Sequence, residues 1–277
     1  MVYSEGHQFQ NSIDSPYLIG LKILDVLSTV MGKMRKIARI YDKLFKGVTG
    51  DLAFYLNEAK KANGKILELG VGTGRIYLPI VKEKLPIIGL DNSSSMLNEL
   101  RKKARTMNLK INVYKKDMKN FRFKSKFALI IIPYGAFLHL ENKEEQFNAL
   151  KNISKHLKKG GKLILNFFNP DLQLISKGKV KHMSLFKDPS SGTTFQIVEM
   201  TNYDMSNQMI KTLYIINEQK NWKKTKQKMY ITVRYVFRKQ FEKLLKEAGF
   251  KSFKLYGGFN GEPFSERSTE MLWVISK

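Results

Sequence analysis

The sequence predicts an α/β fold in which a mostly parallel sheet carries helices on both faces, with an inserted antiparallel β subdomain and an N-terminal helical arm. Three observations lead there. From residue 51 to Pro170 short apolar runs alternate with amphipathic stretches of helical period. The first apolar run ends in a glycine-rich turn, Gly70-Val71-Gly72-Thr73-Gly74. Beyond Pro170 strand and turn signals take over, and the helical period returns only in "RKQFEKLLKEAGF".

The arm covers residues 1–48. Ser15-Pro16 is a helix start, a capping hydroxyl followed by proline at the first helical position. Leu18, Leu21, Leu24, Leu27 and Met31, with Ile23, Val26 and Val30 beside them, form a broad apolar stripe. Basic residues follow in "GKMRKIARIYDKLFK". The arm packs on its own protein, covers a cleft, pairs with a second copy or touches a membrane surface; the breadth of the stripe favours the first.

The core is assigned to 49–177 and 238–277. In "DLAFYLNEAKKANG" Asp51 is a helix cap and Gly64 a stop, leading into the strand "KILEL". After the glycines a helix runs through "RIYLPIVKEK", with Pro79 inside it as a source of a kink. The strand "PIIGLD", the helix "SSSMLNELRKKARTM" and the strands "INVYKKD" and "FALIIIP" come next. A helix over "KEEQFNALKNISKHLKKGG" ends at its glycine pair and feeds the strand "KLILNFFNP". Residues 178–237 form the inserted antiparallel lid, substrate-binding or dimerising, with "DPSSG" and "MSNQ" as turns. Gly249 stops the last helix, and "KSFKLYGGF" and "EMLWVIS" are the closing strands.

Composition narrows the function classes. With 277 residues, 43% of them hydrophobic, the chain can bury a large core. No cysteine is present, so disulfides and zinc-thiolate sites are excluded. No metal site is expected. "MVYSEGHQFQ" lacks the basic start and apolar centre of a signal peptide, and "YLIGLKILDVLSTVM" is too short and too charged to span a bilayer, so a cytoplasmic protein without a transmembrane segment is expected. The net charge of +25 favours anionic partners, nucleic acid among them. Its dispersal along the chain, with no Arg-rich helix or aromatic-interleaved basic motif, argues more for a solvated surface.

The glycine turn fits neither common phosphate cradle. A dinucleotide fingerprint needs G-x-G-x-x-G, whereas here the spacing is G-x-G-x-G with Arg75 following, and a P-loop would need Gly-Lys-Ser/Thr. Glu68, just before the turn, would repel a pyrophosphate but would receive an ammonium group. Asp91 ends the next strand, where a carboxylate accepts hydrogen bonds from ribose hydroxyls. Asp117, followed by Met118, ends the third; an acceptor beside a thioether suits an adenine edge and face. A cationic ligand with a free ribose and an adenine is S-adenosylmethionine (SAM).

In order along the chain, "ILELGVGTGR", "GLDNSSSML", "KKDMKNF", "FALIIIPYGAFLHL" and "LKKGGKLILNFFNP" resemble the motif series of class I SAM-dependent methyltransferases. The resemblance implies a Rossmann-like seven-stranded sheet of order 3-2-1-4-5-7-6 with strand 7 antiparallel. It implies a methionine-side wall of Glu68, Gly70, Gly72 and Gly74, a ribose ligand in Asp91, and adenine contacts from Met96, Asp117 and Met118. Arg75, Asn92 and Pro133 flank these positions and join the cofactor set. Tyr41 resembles the N-terminal tyrosine that closes over SAM in relatives. The inserted segment and the ending resemble the small-molecule branch that methylates nitrogen.

Methyl transfer from a sulfonium depends mainly on alignment, and a base helps when the acceptor carries a proton. Tyr134 and His139, after the fourth strand, are the candidate catalytic and acceptor-binding residues, His139 as base. Arg234 and Tyr235 end the inserted strands and are candidates for the acceptor pocket. Asn166 and Asn169 are read as loop caps. The leading expectation is methylation of nitrogen or oxygen on a small molecule; the rivals are an RNA methyltransferase using the basic surface and a non-catalytic SAM-binding interaction protein.

Overall fold

The computed structural model describes residues 38–277. The proposed helix start at Ser15-Pro16 and the apolar stripe lie outside the described residues. Helix α1 is described over 38–44 and is followed by α2 (Asp51–Lys61), β1 (Ile66–Leu69), α3 (Tyr77–Lys82), β2 (Ile87–Asp91), α4 (Ser94–Thr106), β3 (Val113–Lys115) and β4 (Phe127–Ile132). After a 3-10 turn at Ala136–His139 come α5 (Lys143–His156), β5 (Leu157–Phe168) and the short α6 (Leu172–Ser176). Four strands follow without an intervening helix: β6 (Lys179–Lys187), β7 (Thr194–Asp204), β8 (Met209–Lys220) and β9 (Lys223–Arg234). Helix α7 (Arg238–Glu247) and strands β10 (Ser252–Tyr256) and β11 (Glu270–Ser276) complete the chain.

The main sheet has seven strands in the order β3-β2-β1-β4-β5-β11-β10. Strands β1 to β5 are mutually parallel, and β11 runs antiparallel to both β5 and β10. Counted within this sheet, that is 3-2-1-4-5-7-6 with the seventh strand reversed, as the motif series implies. The central strands β1 and β4 are apolar almost throughout because both of their faces are covered. One face packs on α2, α3 and α4 through Tyr55, Tyr77 and Leu100; the other packs on α5 and α7 through Ile153, Phe241 and Leu245.

Three local expectations are corrected. Pro79 does not kink α3, because it is the third residue of a short helix, where its missing N–H would have had no intrahelical partner. Asp51 is not the cap of α2: Gly50 occupies that position in the left-handed region, and Asp51 is the first helical residue. Helix α5 ends at His156, and the glycine pair Gly160-Gly161 lies inside β5, where the pairing with β4 shifts register. A Cβ on Gly161 would lie 3.0 to 3.2 Å from three carbonyl oxygens, so the irregularity needs a residue with none.

Residues 179–234 form a separate antiparallel meander, β6-β7-β8-β9. Alternation along its strands puts Phe195, Ile216 and Met229 on an inner face, where they pack against Ile40, Leu44 and Phe45 from α1 and the following turn. Helix α1 is also tied by charge. Asp42 accepts from the Thr73 hydroxyl and pairs with Lys103 of α4, while Lys43 pairs with Asp188 in the β6–β7 turn. The helix therefore bridges the glycine turn and the inserted sheet.

Gly74 is a packing residue. It has φ +89°, and a Cβ there would lie 2.9 Å from Leu100 and 3.0 Å from Leu78. At Gly72, φ is +53° but the nearest atom is 4.0 Å away. Both alanine variants bear the left-handed backbone cost of about 1–2 kcal/mol, and Gly74→Ala adds about 1–3 kcal/mol of overpacking. Chemical denaturation is expected to show Gly74→Ala as the more destabilised; equal losses would contradict this packing role.

Candidate active site

The carboxyl ends of β1, β2 and β4 open onto a cavity of about 640 Å3. It lies where the strand order reverses, the place at which open α/β sheets offer a crevice between diverging connections. Glu68 sits at the base, 2% exposed, and its Oε2 is buried without a hydrogen-bond partner among the described residues. Burial holds this carboxyl well above its ordinary pKa, against the attraction of Arg75. Arg75 does not bond to it, because its guanidinium is held by Asp51 through two hydrogen bonds of 2.9 and 2.5 Å. A buried carboxylate with a charged neighbour but no donor fits an ammonium group.

The turn that follows is shaped by close approach. A Cβ on Gly70 would lie 2.6 Å from the Cβ of Ala136, so glycine there lets the turn lie against the 3-10 segment. Asp91, at the end of β2, accepts the Gly72 N–H on Oδ2 and the Ser93 N–H on Oδ1, each at 2.8 Å. Burial raises its pKa and these backbone donors oppose the rise. Each oxygen keeps a free lone pair, which suits a pair of hydroxyl donors. Asn92 and Met96 also line this side of the cavity.

On the β3 side the strand stops at Lys115, so Asp117 lies in the turn beyond it rather than at the strand end. Its Oδ1 accepts the Lys119 N–H at 2.9 Å, and Asp117 and Met118 both line the cavity. Pro133 closes the wall below β4. These residues make a half-apolar slot with acceptors at its rim, and the acids along the sheet edge face one space. The residues present therefore fit SAM: Glu68 would face its ammonium, Asp91 its ribose and the Met96–Asp117–Met118 side its adenine.

A second cavity, of about 1080 Å3, lies between the β5 end of the sheet and the inner face of the inserted meander. The two cavities share Tyr41, Phe45, Tyr134, His139 and Ile231. Tyr134 is held at this junction by an unusual backbone: it has φ +54°, and its N–H donates to Asn166 Oδ1 at 2.8 Å. The same Oδ1 accepts from the Tyr55 hydroxyl, and Asn166 Nδ2 donates to Glu270. Asn166 thus positions the loop after β4. Asn169 donates to the carbonyls of Glu266 and Ser268 and caps its loop, as its place in the sequence suggested. The Arg75 guanidinium lies over the Tyr134 ring, 5.4 Å from its centroid.

His139 ends the 3-10 turn with its Nδ1 3.2 Å from the carbonyl oxygen of Thr232 on β9. A carbonyl can only accept, so Nδ1 carries the hydrogen and neutral His139 presents the lone pair on Nε2. Protein crowds the ring although it is open to solvent through the cavity, and burial lowers its pKa from the ordinary 6.5. The neutral form therefore prevails at pH 7. Tyr41 projects from α1 against Phe45, with centroids 4.7 Å apart, and burial pushes its hydroxyl up to about 12.

Three of the sequence-derived positions are not brought to either cavity. Gly74 faces Leu78 and Leu100 instead. Arg234 donates to the side-chain oxygens of Gln146 and Gln208, which fixes the end of β9 to α5. Tyr235 is 2% exposed and packs edge-on against Phe237. Sequence reasoning had placed Arg234 and Tyr235 by their position at the strand end, but the chain turns away there. It missed Phe45, one helical turn after Tyr41, although that spacing carries the signal. It also missed Glu199 and Tyr214, which alternation places on the inner face of the meander.

Comparison with known proteins agrees with this geometry. The family model of the methyltransferase domain matches residues 66–161. The chain is 21% identical to the cypemycin N-terminal methyltransferase of Streptomyces sp. over 82% of its own length and 89% of the relative. It is 25% identical to the dTDP-3-amino-3,4,6-trideoxy-alpha-D-glucopyranose N,N-dimethyltransferase of Streptomyces venezuelae, over 46% of the chain and about half (55%) of that relative. Among solved structures, the CcbJ methyltransferase from Streptomyces caelestis superposes with a TM-score of 0.72 at 20% identity, covering 83% of this chain and 96% of that one. Residues 66–161 are thus similar to a methyltransferase domain, and the sheet order, the glycine turn and the acids around the cavity agree with what the resemblance to class I SAM-dependent methyltransferases implies.

Proposed function

We propose that this enzyme methylates the nitrogen of a small-molecule acceptor held in the larger cavity. The observation that carries the reading is the junction: a cofactor-shaped slot and an apolar-walled chamber meet at Tyr41, Phe45, Tyr134 and His139. A chamber of about 1080 Å3 is at the scale of small-molecule pockets, ~300–1000 Å3. Two relatives support nitrogen as the acceptor atom: the amino-sugar enzyme is an N,N-dimethyltransferase, and the cypemycin enzyme is an N-terminal methyltransferase.

When bound, SAM supplies an electrophilic methyl group on a sulfonium that leaves without acid assistance. The protein's part is alignment, exclusion of water and removal of one proton. Glu68 and Asp91 hold the two ends of the cofactor slot. Tyr134 and Tyr41 wall the junction and direct the acceptor nitrogen to one line of approach. His139, neutral and with Nε2 free, takes a proton from an ammonium acceptor.

Incubating the enzyme with labelled SAM and fractionated cell extract is expected to label amine-bearing small molecules; label confined to RNA would overturn the reading. Asp91→Asn is expected to weaken SAM binding by about 1.5–3 kcal/mol, the worth of a hydrogen bond to a charged group, as read by calorimetry. His139→Ala is expected to lower kcat by ~10²–10⁴-fold while SAM affinity stays near that of the parent.

Glu68 yields a linkage prediction. Burial keeps its carboxyl protonated above the ordinary 4.5 in the free protein, and an ammonium partner lowers the pKa again. Cofactor binding then releases a proton, so affinity rises with pH between the lowered and the raised value. Calorimetry in buffers of different ionisation heat is expected to register that proton with the parent protein and lose it in Glu68→Gln. Equal buffer dependence in both would mean that Glu68 does not receive the ammonium.

A further inference from the structure

The inner face of the meander carries one carboxylate that neither the cofactor slot nor the fold uses. Glu199, at the middle of β7, follows Phe195 and Ile197 on the face turned to the larger cavity. It stands directly opposite Tyr214 on β8. Its Oε1 accepts from the Tyr214 hydroxyl at 3.4 Å and the Thr201 hydroxyl at 3.3 Å. The Thr201 hydroxyl is in turn 3.0 Å from that of Thr212. These contacts orient one carboxylate oxygen and leave Oε2 turned to no protein donor among the described residues.

The missing partner is informative because cations are plentiful. The chain has a net charge of +25, yet none of the ion pairs among the described residues involves Glu199. Lys43, on the neighbouring helix, is committed to Asp188. A half-buried carboxylate on an apolar face costs desolvation unless something positive meets it. The surroundings are aromatic as well. Phe45 meets Tyr214 edge-on with centroids 5.6 Å apart, and Tyr41 packs against Phe45 at 4.7 Å. Ring faces are electron-rich and attract cations, alkylated ammonium groups above all.

We infer that Glu199, Tyr214 and Phe45 form an ammonium-binding subsite in the acceptor chamber, taking a primary, secondary or fully methylated alkylammonium group. The inference rests on the reading of the larger cavity as the acceptor site and adds the chemistry that selects the acceptor. Its position beside Tyr41 and Phe45, which belong to both cavities, places the bound cation at the edge of the junction. A hydroxyl-bearing neutral ligand of the same shape gains the hydrogen bond but neither the ion pair nor the cation–π attraction. Because an N-methylated amine remains a cation when protonated, the subsite accepts methylated acceptors as readily as unmethylated ones.

The test uses the full chain loaded with S-adenosylhomocysteine and two probes of equal shape, choline and its neutral carbon isostere 3,3-dimethylbutan-1-ol. Binding is read by ligand-observed NMR titration. Choline is expected to bind at least tenfold more tightly than the isostere, and Glu199→Gln is expected to erase that preference. Tyr214→Phe, which keeps the ring and removes the hydroxyl, is expected to retain part of it. Thermal unfolding and S-adenosylhomocysteine affinity, both expected to match the parent, show that Glu199→Gln is folded. Equal binding of the two probes, or a preference unchanged in Glu199→Gln, would overturn the subsite. Methyl transfer to amine mixtures tests the parent reading separately: labelled amines with no choline preference would sink only the subsite, and a choline preference with no amine labelled would sink only the amine-methylation reading.

Discussion

The ion pair between Asp51 and Arg75 is the constraint on which the cavity at the glycine turn depends. A guanidinium beside a buried glutamate would ordinarily neutralise it. Here both of its forks are occupied by Asp51, the first residue of α2, which also accepts the Val48 N–H. Glu68 therefore feels the field of Arg75 without gaining its hydrogen bonds, and its Oε2 stays without a donor. The same guanidinium supports the Tyr134 ring from beneath and fills the space next to Gly47. One bidentate contact thus keeps the carboxylate available, fixes the segment leading into α2 and props the aromatic wall of the junction.

Positioning of the junction is shared between strands far apart in sequence. Tyr134 is held in a left-handed backbone conformation, which a side chain of that size adopts at a cost, and the cost is offset by the hydrogen bond from its N–H to Asn166 on the adjacent strand. His139 is oriented by a carbonyl on β9, which belongs to the inserted meander. The larger cavity therefore forms only when the meander docks on the core. Helix α1 secures that docking, apolar on the side of Phe195 and Met229 and charged where Asp42 and Lys43 reach the glycine turn and the β6–β7 turn.

Much of the fold was legible because periodicity is a local signal. Fully covered strands such as β1 and β4 are apolar at every position but Glu68, the helices between them are amphipathic, and the change of period after Pro170 marks the inserted strands. Local signals failed where a residue answered to a distant partner. Asp51 has the sequence position of a cap but is drawn to Arg75, 24 residues on. Gly160-Gly161 looks like a helix stop, yet the pair serves a bulge defined by the neighbouring strand. Arg234 has the look of a pocket residue at a strand end, and two glutamines from other elements claim it.

The sequence by itself determined the parallel core, the inserted antiparallel strands and the acids that come to line one cavity, because each follows from the spacing of residue types within one or two elements. Tertiary structure alone decided which of those residues share a space. It turned Gly74 into a packing residue, since Leu78 and Leu100 come within 3 Å of where its Cβ would be. It also brought Phe45, Glu199 and Tyr214 from three separate elements to one chamber. The physical reason is range: helix and strand periods act between neighbours, whereas an ion pair, an aromatic wall or a tight helix contact depends on groups that meet only after the sheet and the meander have packed.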